Sequence, residues 1–215
     1  PNNSTGNVSA ALWIYGSVDG AGAIAIGSTY AWGAQLEAGA FSTSYIPTVA
    51  ASVARTADSG VMTGSNFSAW YNQTQGTFVV AGDLAYPANG ANQFLVRASD
   101  NSYNNQVVMN DNSTGFLTLA TAAGGVFDGN AQTNFAVIAN TAFKVAGAYA
   151  TNDLAASANG AAAGVDSSAT ISLVQTRLDI GGDHAGANHI GSGHIRSIQY
   201  FPTRLPDARL QALTV

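Results

Sequence analysis

Lysine and glutamate, which most often line the solvent face of a helix, occur once each, at Lys144 and Glu37. Gly, Ala, Ser, Thr and Asn take their place, and long polar helix formers are nearly missing. A chain built this way has little to sustain surface helices. Short runs rich in Val, Ile, Phe, Tyr and Thr alternate with Gly- and Asn-containing turns, the pattern of an all-β protein. Disorder, the other reading of low charge with high Gly, is opposed by a 47% hydrophobic content and by nine Phe, eight Tyr and three Trp to anchor a core.

The chain of 215 residues is long enough for one large β domain or one and a half ordinary ones. Its net charge of −5, with no basic run, argues against binding nucleic acid by neutralising phosphates. No apolar stretch reaches the length of a transmembrane helix, so no membrane insertion is expected. The absence of cysteine excludes disulfides and thiolate metal sites. The first residue is Pro1 rather than Met, and the sequence is read as part of a longer protein.

Three segments follow. Residues 1–38 contain about three strand patterns, at 8–15, 23–26 and 29–36, with a turn at Asp19-Gly20. That is too few for a sandwich alone, so they are either the C-terminal strands of an upstream β jelly roll or strands that pack on neighbouring chains. Residues 39–60 are an extended linker. Gly39 breaks the alternation, Pro47 removes a donor, and Arg55 and Asp58 are expected tethers. Residues 61–215 are a complete antiparallel sandwich. Strands are expected at 77–84, 93–98, 106–110, 116–120, 135–138, 143–151, 178–181 and 193–201, with a Gly-rich loop at 122–134 and a turn at Asn159-Gly160. One helix closes the chain at 206–213, with Pro206 in its first turn and Asp207 at its positive end. Phe143, Val145, Ile195, Ile198, Tyr200 and Leu210 are expected in one core beneath that helix. Trp70 and Tyr71 precede the first strand as a lid on the core.

Two resemblances add to this. The stretch W-G-A-Q-L-E-x-G-x-F-x-T-S-Y-I-P-T, Trp32 to Thr48, followed by Arg55, Ala57 and Asp58, resembles a junction in the tail-fibre and tailspike proteins of tailed bacteriophages. The pieces F-K-V-A-G-A-Y from Phe143, L-D-I-G-G from Leu178 and G-x-I-x-x-I-x-Y-F-P-x-R-L from Gly193 are similar to the concanavalin A-like, or laminin-G-like, lectin sandwich. The resemblance implies a receptor-binding protein on the virion, facing outward and forming a homotrimer. It would attach to a host cell-surface glycan and associate with other tail or virion proteins. A structural or decoration module of the virion is the first alternative, and a polysaccharide-degrading tailspike segment the second.

Hydrolysis on such a sandwich needs two closely placed carboxylates. The one Glu lies in the linker, the glucanase E-x-D-x-x-E pattern is absent, and the eleven Asp show no suggestive spacing, so no catalytic residue is expected. A sugar presents an apolar face and a polar rim, and its site pairs an aromatic platform with amides and carboxylates. Tyr103 among Asp100, Asn101, Asn104 and Asn105 is the best such cluster. Tyr86 and Phe127 are the other loop aromatics. His184 and His189, with His194 five residues on, lie in a Gly-rich loop near Asp179 and Asp183. They suit either a divalent ion or hydrogen bonds to a sugar, or they are solvent-facing residues of that loop. The turns at 100–105 and at Asp111-Asn112 carry the oxygens that calcium takes, although Asp and Asn favour turns for their own reasons. No cofactor is otherwise expected.

Overall fold

The computed structural model describes residues 33–36, 45–53, 60–88, 90–183, 185, 190 and 193–215. The chain divides into two compact units, Pro1–Thr56 and Ala57–Val215. In the first unit, the described residues carry no strand or helix. Of the strand expected at 29–36, the last four residues are described and are not in a strand, because Gly33 takes a left-handed φ of 71° that breaks an extended run. The Ile46 amide donates to Gln35 Oε1 at 2.7 Å. The strands expected at 8–15 and 23–26, and the tethers Arg55 and Asp58, lie outside the described residues.

The second unit is a two-sheet antiparallel sandwich. Its strands are β1 (Gly60–Thr63), β2 (Gln75–Leu84), β3 (Gln93–Ser99), β4 (Gln106–Asp111), β5 (Phe116–Ala123), β6 (Val126–Ala136), β7 (Phe143–Ala150), β8 (Asp153–Ala158), β9 (Gly164–Asp166), β10 (Arg177–Ile180) and β11 (Gly193–Phe201). Helix α1 covers Ser65–Ser68 and helix α2 Asp207–Leu213. One sheet runs β1-β10-β3-β4-β5-β6 and the other β11-β2-β7-β8-β9.

Period-two alternation fills the space between the sheets. Phe78, Val80 and Leu84 of β2 meet Val107 and Met109 of β4, Leu117 and Leu119 of β5, and Tyr149 of β7. Each such buried side chain is worth about 1.5–3 kcal/mol relative to exposure. Gly147 permits the close approach: a Cβ there would meet Leu119 Cβ at 3.2 Å and Met109 Sδ at 3.3 Å. At one end of the core, Phe67 and Tyr71 stack at 4.5 Å between centroids, and Tyr149 donates to the Asn72 carbonyl at 2.7 Å. Burial there drives the Tyr71 and Tyr149 phenols far above their ordinary range, so both stay neutral.

The single core expected beneath the helix is two. Phe143 and Val145 are buried in the central cluster, with Ile195, Ile198 and Tyr200 half-buried against it. Leu210 instead packs with Val79, Ala146, Ala148 and Ala155 on the outer face of the five-stranded sheet. The helix covers the residues that alternation turns away from the centre. The three-residue spacing of Ile195 and Ile198 is reconciled with a strand by a bulge between Ile195 and Ser197, after which Ile198 and Tyr200 pair with Val80 and Phe78 and share their inward face.

The Gly-rich loop expected at 122–134 is largely β6. Gly124 and Gly125, at φ 58° and 85°, make a two-residue hairpin turn. The strand was hidden because its inward residues, Gly129, Ala131 and Thr133, are small and give little apolar signal. Strand β8 escaped for the same reason, with Ala156 and Ala158 facing in and Ala155 facing the helix.

Candidate functional site

The outer face of the six-stranded sheet carries no helix among the described residues, and its side chains mix polar and apolar groups. Alternation on β4 turns Val107 and Met109 inward and leaves Gln106, Val108 and Asn110 outward. Their partners on β5, Thr118 and Ala120, face the same way, as does Asn130 on β6. These residues line a cleft of about 650 Å³, within the range usual for ligand sites.

Two irregularities bring aromatic rings to it. Strand β3 has a bulge between Phe94 and Val96, which sends Phe94 to the outer face opposite Asn110 while Leu95, Val96 and Ala98 stay in the core. On β6 the register shifts so that Thr121 pairs with Gly129 but Ala122 pairs with Phe127. The extra residue, Asp128, turns the Phe127 ring to the cleft side. Bulges commonly re-aim a side chain in this way beside functional sites. Phe94 is buried in the cleft floor, and Phe127 is 62% exposed at its edge. The prediction that Phe127 sits in a loop is corrected: it is a strand residue.

A buried ionic network supports one end. The Arg97 guanidinium, fully buried on β3, donates through Nε to Gln106 Oε1 and through a terminal nitrogen to the Ser102 carbonyl, and lies 3.3 Å from Asp179 Oδ2. Arg177 donates to Asp179 Oδ1 and, at 2.6 Å, to Asn101 Oδ1. Burial pulls the Arg97 guanidinium below its ordinary value, and the carboxylates of Asp179 and Asp183 resist that pull. Gln106 is fully buried too, and its Nε2 has no acceptor among the described residues. An unmet buried amide costs about 1–3 kcal/mol.

The Tyr103 cluster is built around this network. Tyr103 borders the cleft half-buried; its ring lies 5.1 Å over Arg97, and its hydroxyl donates to Asp183 Oδ2 at 2.5 Å. Asp100 Oδ1 accepts from the Ser102 amide and hydroxyl, and Oδ2 from Asn105 Nδ2 at 2.8 Å. Partial burial alone would raise the Asp100 carboxyl, yet those hydrogen bonds outweigh it and hold the group below its ordinary range. Asn105 Oδ1 accepts from the Gly124 amide, and the Asn104 carbonyl from the Gly125 amide, which tie the loop to the β5–β6 hairpin. Asn101 is exposed at a left-handed φ of 74°. The loop therefore shapes one end of the cleft, with most of its polar atoms held by its own turn.

Tyr86 follows β2, 48% exposed, with its carbonyl accepting from Gln93 Nε2 at 2.9 Å, and does not line the cleft. His184 and His189 lie outside the described residues. His194 Nδ1 sits 3.0 Å from Asp83 Oδ1, and Arg196 donates to Asp83 Oδ2. His194 and Arg196 together hold the Asp83 carboxyl low. Asp100 uses both oxygens within its turn, and Asp111 is buried with Oδ2 accepting from the Ala88 amide at 2.5 Å. Among the described residues no group of three His, Cys, Asp or Glu converges on a metal position.

Residues that the sequence reading passed over contribute most of the lining: Gln106, Asn110, Thr118 and Asn130 on strands, and Asp128 and Asp166 at the far edge. Their signal was the polar half of the alternation in strands read only for their apolar half.

No family model matches the chain, and none of the curated proteins does. Solved structures do. The chain is similar to the CBM40 domain of the Ruminococcus gnavus IT-sialidase bound to α2,3-sialyllactose, with a TM-score of 0.55 and 19% identity over 67% of this chain and 84% of that one. It is also similar to the NanB sialidase from Streptococcus pneumoniae in its K499G mutant form (TM-score 0.53, 12% identity, 71% of this chain and 26% of that one). The leech intramolecular trans-sialidase complexed with 2,7-anhydro-Neu5Ac matches at a TM-score of 0.51 and 18% identity, over 66% of this chain and 23% of that one. The second unit thus has the fold of an antiparallel jelly-roll sandwich, as the sequence led one to expect, and its structural neighbours include a CBM40 domain bound to sialyllactose.

Proposed function

We propose that the sandwich is a glycan-binding adhesion module, and that its cleft on the six-stranded sheet holds the sugar. The observation that carries this reading is the cleft itself: two Phe rings aimed outward by bulges, set among amides with an unmet buried donor. That combination suits a pyranose, with its apolar face and hydroxyl rim. The carbohydrate-binding domain among its fold neighbours, bound to sialyllactose, lends support.

The module binds rather than cleaves. A glycosidase needs one carboxyl kept protonated as general acid, with its pKa raised. Asp166, one carboxylate bordering the cleft, is unsuited to that role, because hydrogen bonds from the Asn130 amide and from Ser168 hold it below the ordinary range. The wider setting rests on the junction at Trp32–Thr48: a tail fibre or tailspike on a phage virion, trimeric, engaging a host surface glycan and assembling with other tail proteins. Three linked copies would convert weak single-site binding into useful avidity.

The purified 215-residue protein, applied to immobilised glycans and to host lipopolysaccharide or capsule, should be retained and should release no product. Retention on none of these would favour a purely structural role in the virion. Release of reducing ends would favour the degrading alternative.

A further inference from the structure

The side chains that border the cleft carry a further consequence, which rests on the glycan reading. We infer that the cleft selects an uncharged glycan and rejects sialylated, uronic or sulfated ones. No Lys or Arg lines the cleft among the described residues, whereas two carboxylates, Asp128 and Asp166, do. The Arg97 guanidinium, which contacts the lining residues Gln106 and Tyr103, is fully buried and already holds Gln106, the Ser102 carbonyl and Asp179. An anionic sugar entering here would lose water from its acid group, find no cation to replace it, and meet two like charges. Asp166 remains ionised, since the Asn130 amide and Ser168 stabilise its charged form.

What the cleft offers instead is neutral hydrogen bonding. Asn92, Asn110 and Asn130 bring carboxamides to it, whose amino groups can donate to sugar hydroxyls; the Asn92 oxygen already accepts from the Ser113 amide and the Asn110 oxygen from the Thr118 hydroxyl, and Asn112 is committed to its own turn and to Gln132. Gln106 Nε2 is a buried donor with no acceptor among the described residues, and a hydroxyl in the cleft would complete it. A site with an unmet buried group discriminates strongly for a ligand that satisfies it. In this respect the chain departs from its neighbour bound to sialyllactose: the fold is shared, and the charge of the sugar is not.

The test is an array of uncharged and anionic glycans that includes lactose beside 3′-sialyllactose, probed with the whole chain. The retained glycans should be uncharged, and capping one with sialic acid should cut its signal about tenfold or more, the effect of ~1.4 kcal/mol. Binding should be nearly unchanged between low and high salt, because no ion pair forms. Gln106→Glu keeps the acceptor for Arg97 while removing the donor, and should lower binding of a retained glycan about tenfold. If that variant does not fold, Phe127→Ala at the exposed edge reads the same cleft. Preferential retention of anionic glycans, falling with salt, overturns the inference and leaves the glycan reading standing. Retention of no glycan overturns both. An unaltered affinity in Gln106→Glu and Phe127→Ala places the sugar elsewhere and overturns the assignment of this cleft.

Discussion

The two outer faces of the sandwich are built from the same strand alternation and differ in what covers them. On the five-stranded sheet the outward residues include the small apolar Val79, Ala146, Ala148 and Ala155, with Thr77 and Ser157 beside them hydrogen-bonded to backbone carbonyls, and α2 seats Leu210 on the apolar set. On the six-stranded sheet they include Arg97, Gln106, Asn110 and Thr118 beside Phe94, Val108 and Ala120, and a cleft lies over all of these but Arg97. Small residues let a helix approach and exclude water. Amides and a buried ion pair leave a surface whose hydrogen bonds need a partner. The difference teaches that a face is sealed or kept as a site by the half of each strand that does not enter the core.

Breaking the ionic support should have the largest effect. Arg97→Met leaves Asp179 buried with only Arg177 beside it, and should cost about 3–5 kcal/mol in chemical denaturation. A double variant with Asp179→Leu should recover much of that loss. If Arg97→Met is neutral, the network does not hold this face. Leu210→Ala on the sealed face should cost about 2–5 kcal/mol, since its side chain is fully buried, while binding stays intact. A loss of glycan binding in a folded Leu210→Ala protein would dissolve the division between the faces.

A smaller effect, of opposite sign, is expected at Asp111. Burial raises its carboxyl, and the hydrogen bond from Ala88 only partly offsets this. A carboxyl raised on folding favours the native state below its unfolded pKa, and that contribution is lost as pH rises through the folded value. Above the folded value, burial of the Asp111 carboxyl is thus a liability. Asp111→Asn keeps an acceptor for Ala88 and should raise Tm by a few degrees at pH 7, with the gain shrinking toward pH ~4. An unchanged or lower Tm at pH 7 would contradict this. The least effect on stability is expected for Phe127→Ala, within about 0.5 kcal/mol, because the ring is largely exposed. A marked drop in Tm would make Phe127 a packing residue.

The sandwich, most strand positions and the terminal helix were legible because Val, Phe, Ile and Tyr recur with period two between turn residues. Strands β6 and β8 were not, since Ala, Gly, Ser and Thr form their inward sets and carry no strong apolar signal. The cleft was half legible. Tyr103 and Phe127 were singled out as aromatics and do border it. Gln106, Asn110 and Thr118 were passed over, because sequence alone does not say which face of a strand lies open. The bulges at Leu95 and Asp128 decide where Phe94 and Phe127 point, and a one-residue slip of register carries no marker in composition.

The most direct test of the central claim is to follow the backbone and side-chain amides of isotope-labelled protein by NMR while adding a glycan that the array retains. The cleft assignment predicts shifts centred on the Gln106 and Asn110 carboxamides and on the amides flanking Phe127, with the α2 face silent. Shifts centred on α2, on the surroundings of Tyr86 or on residues 184–194, with Gln106 unmoved, would contradict it.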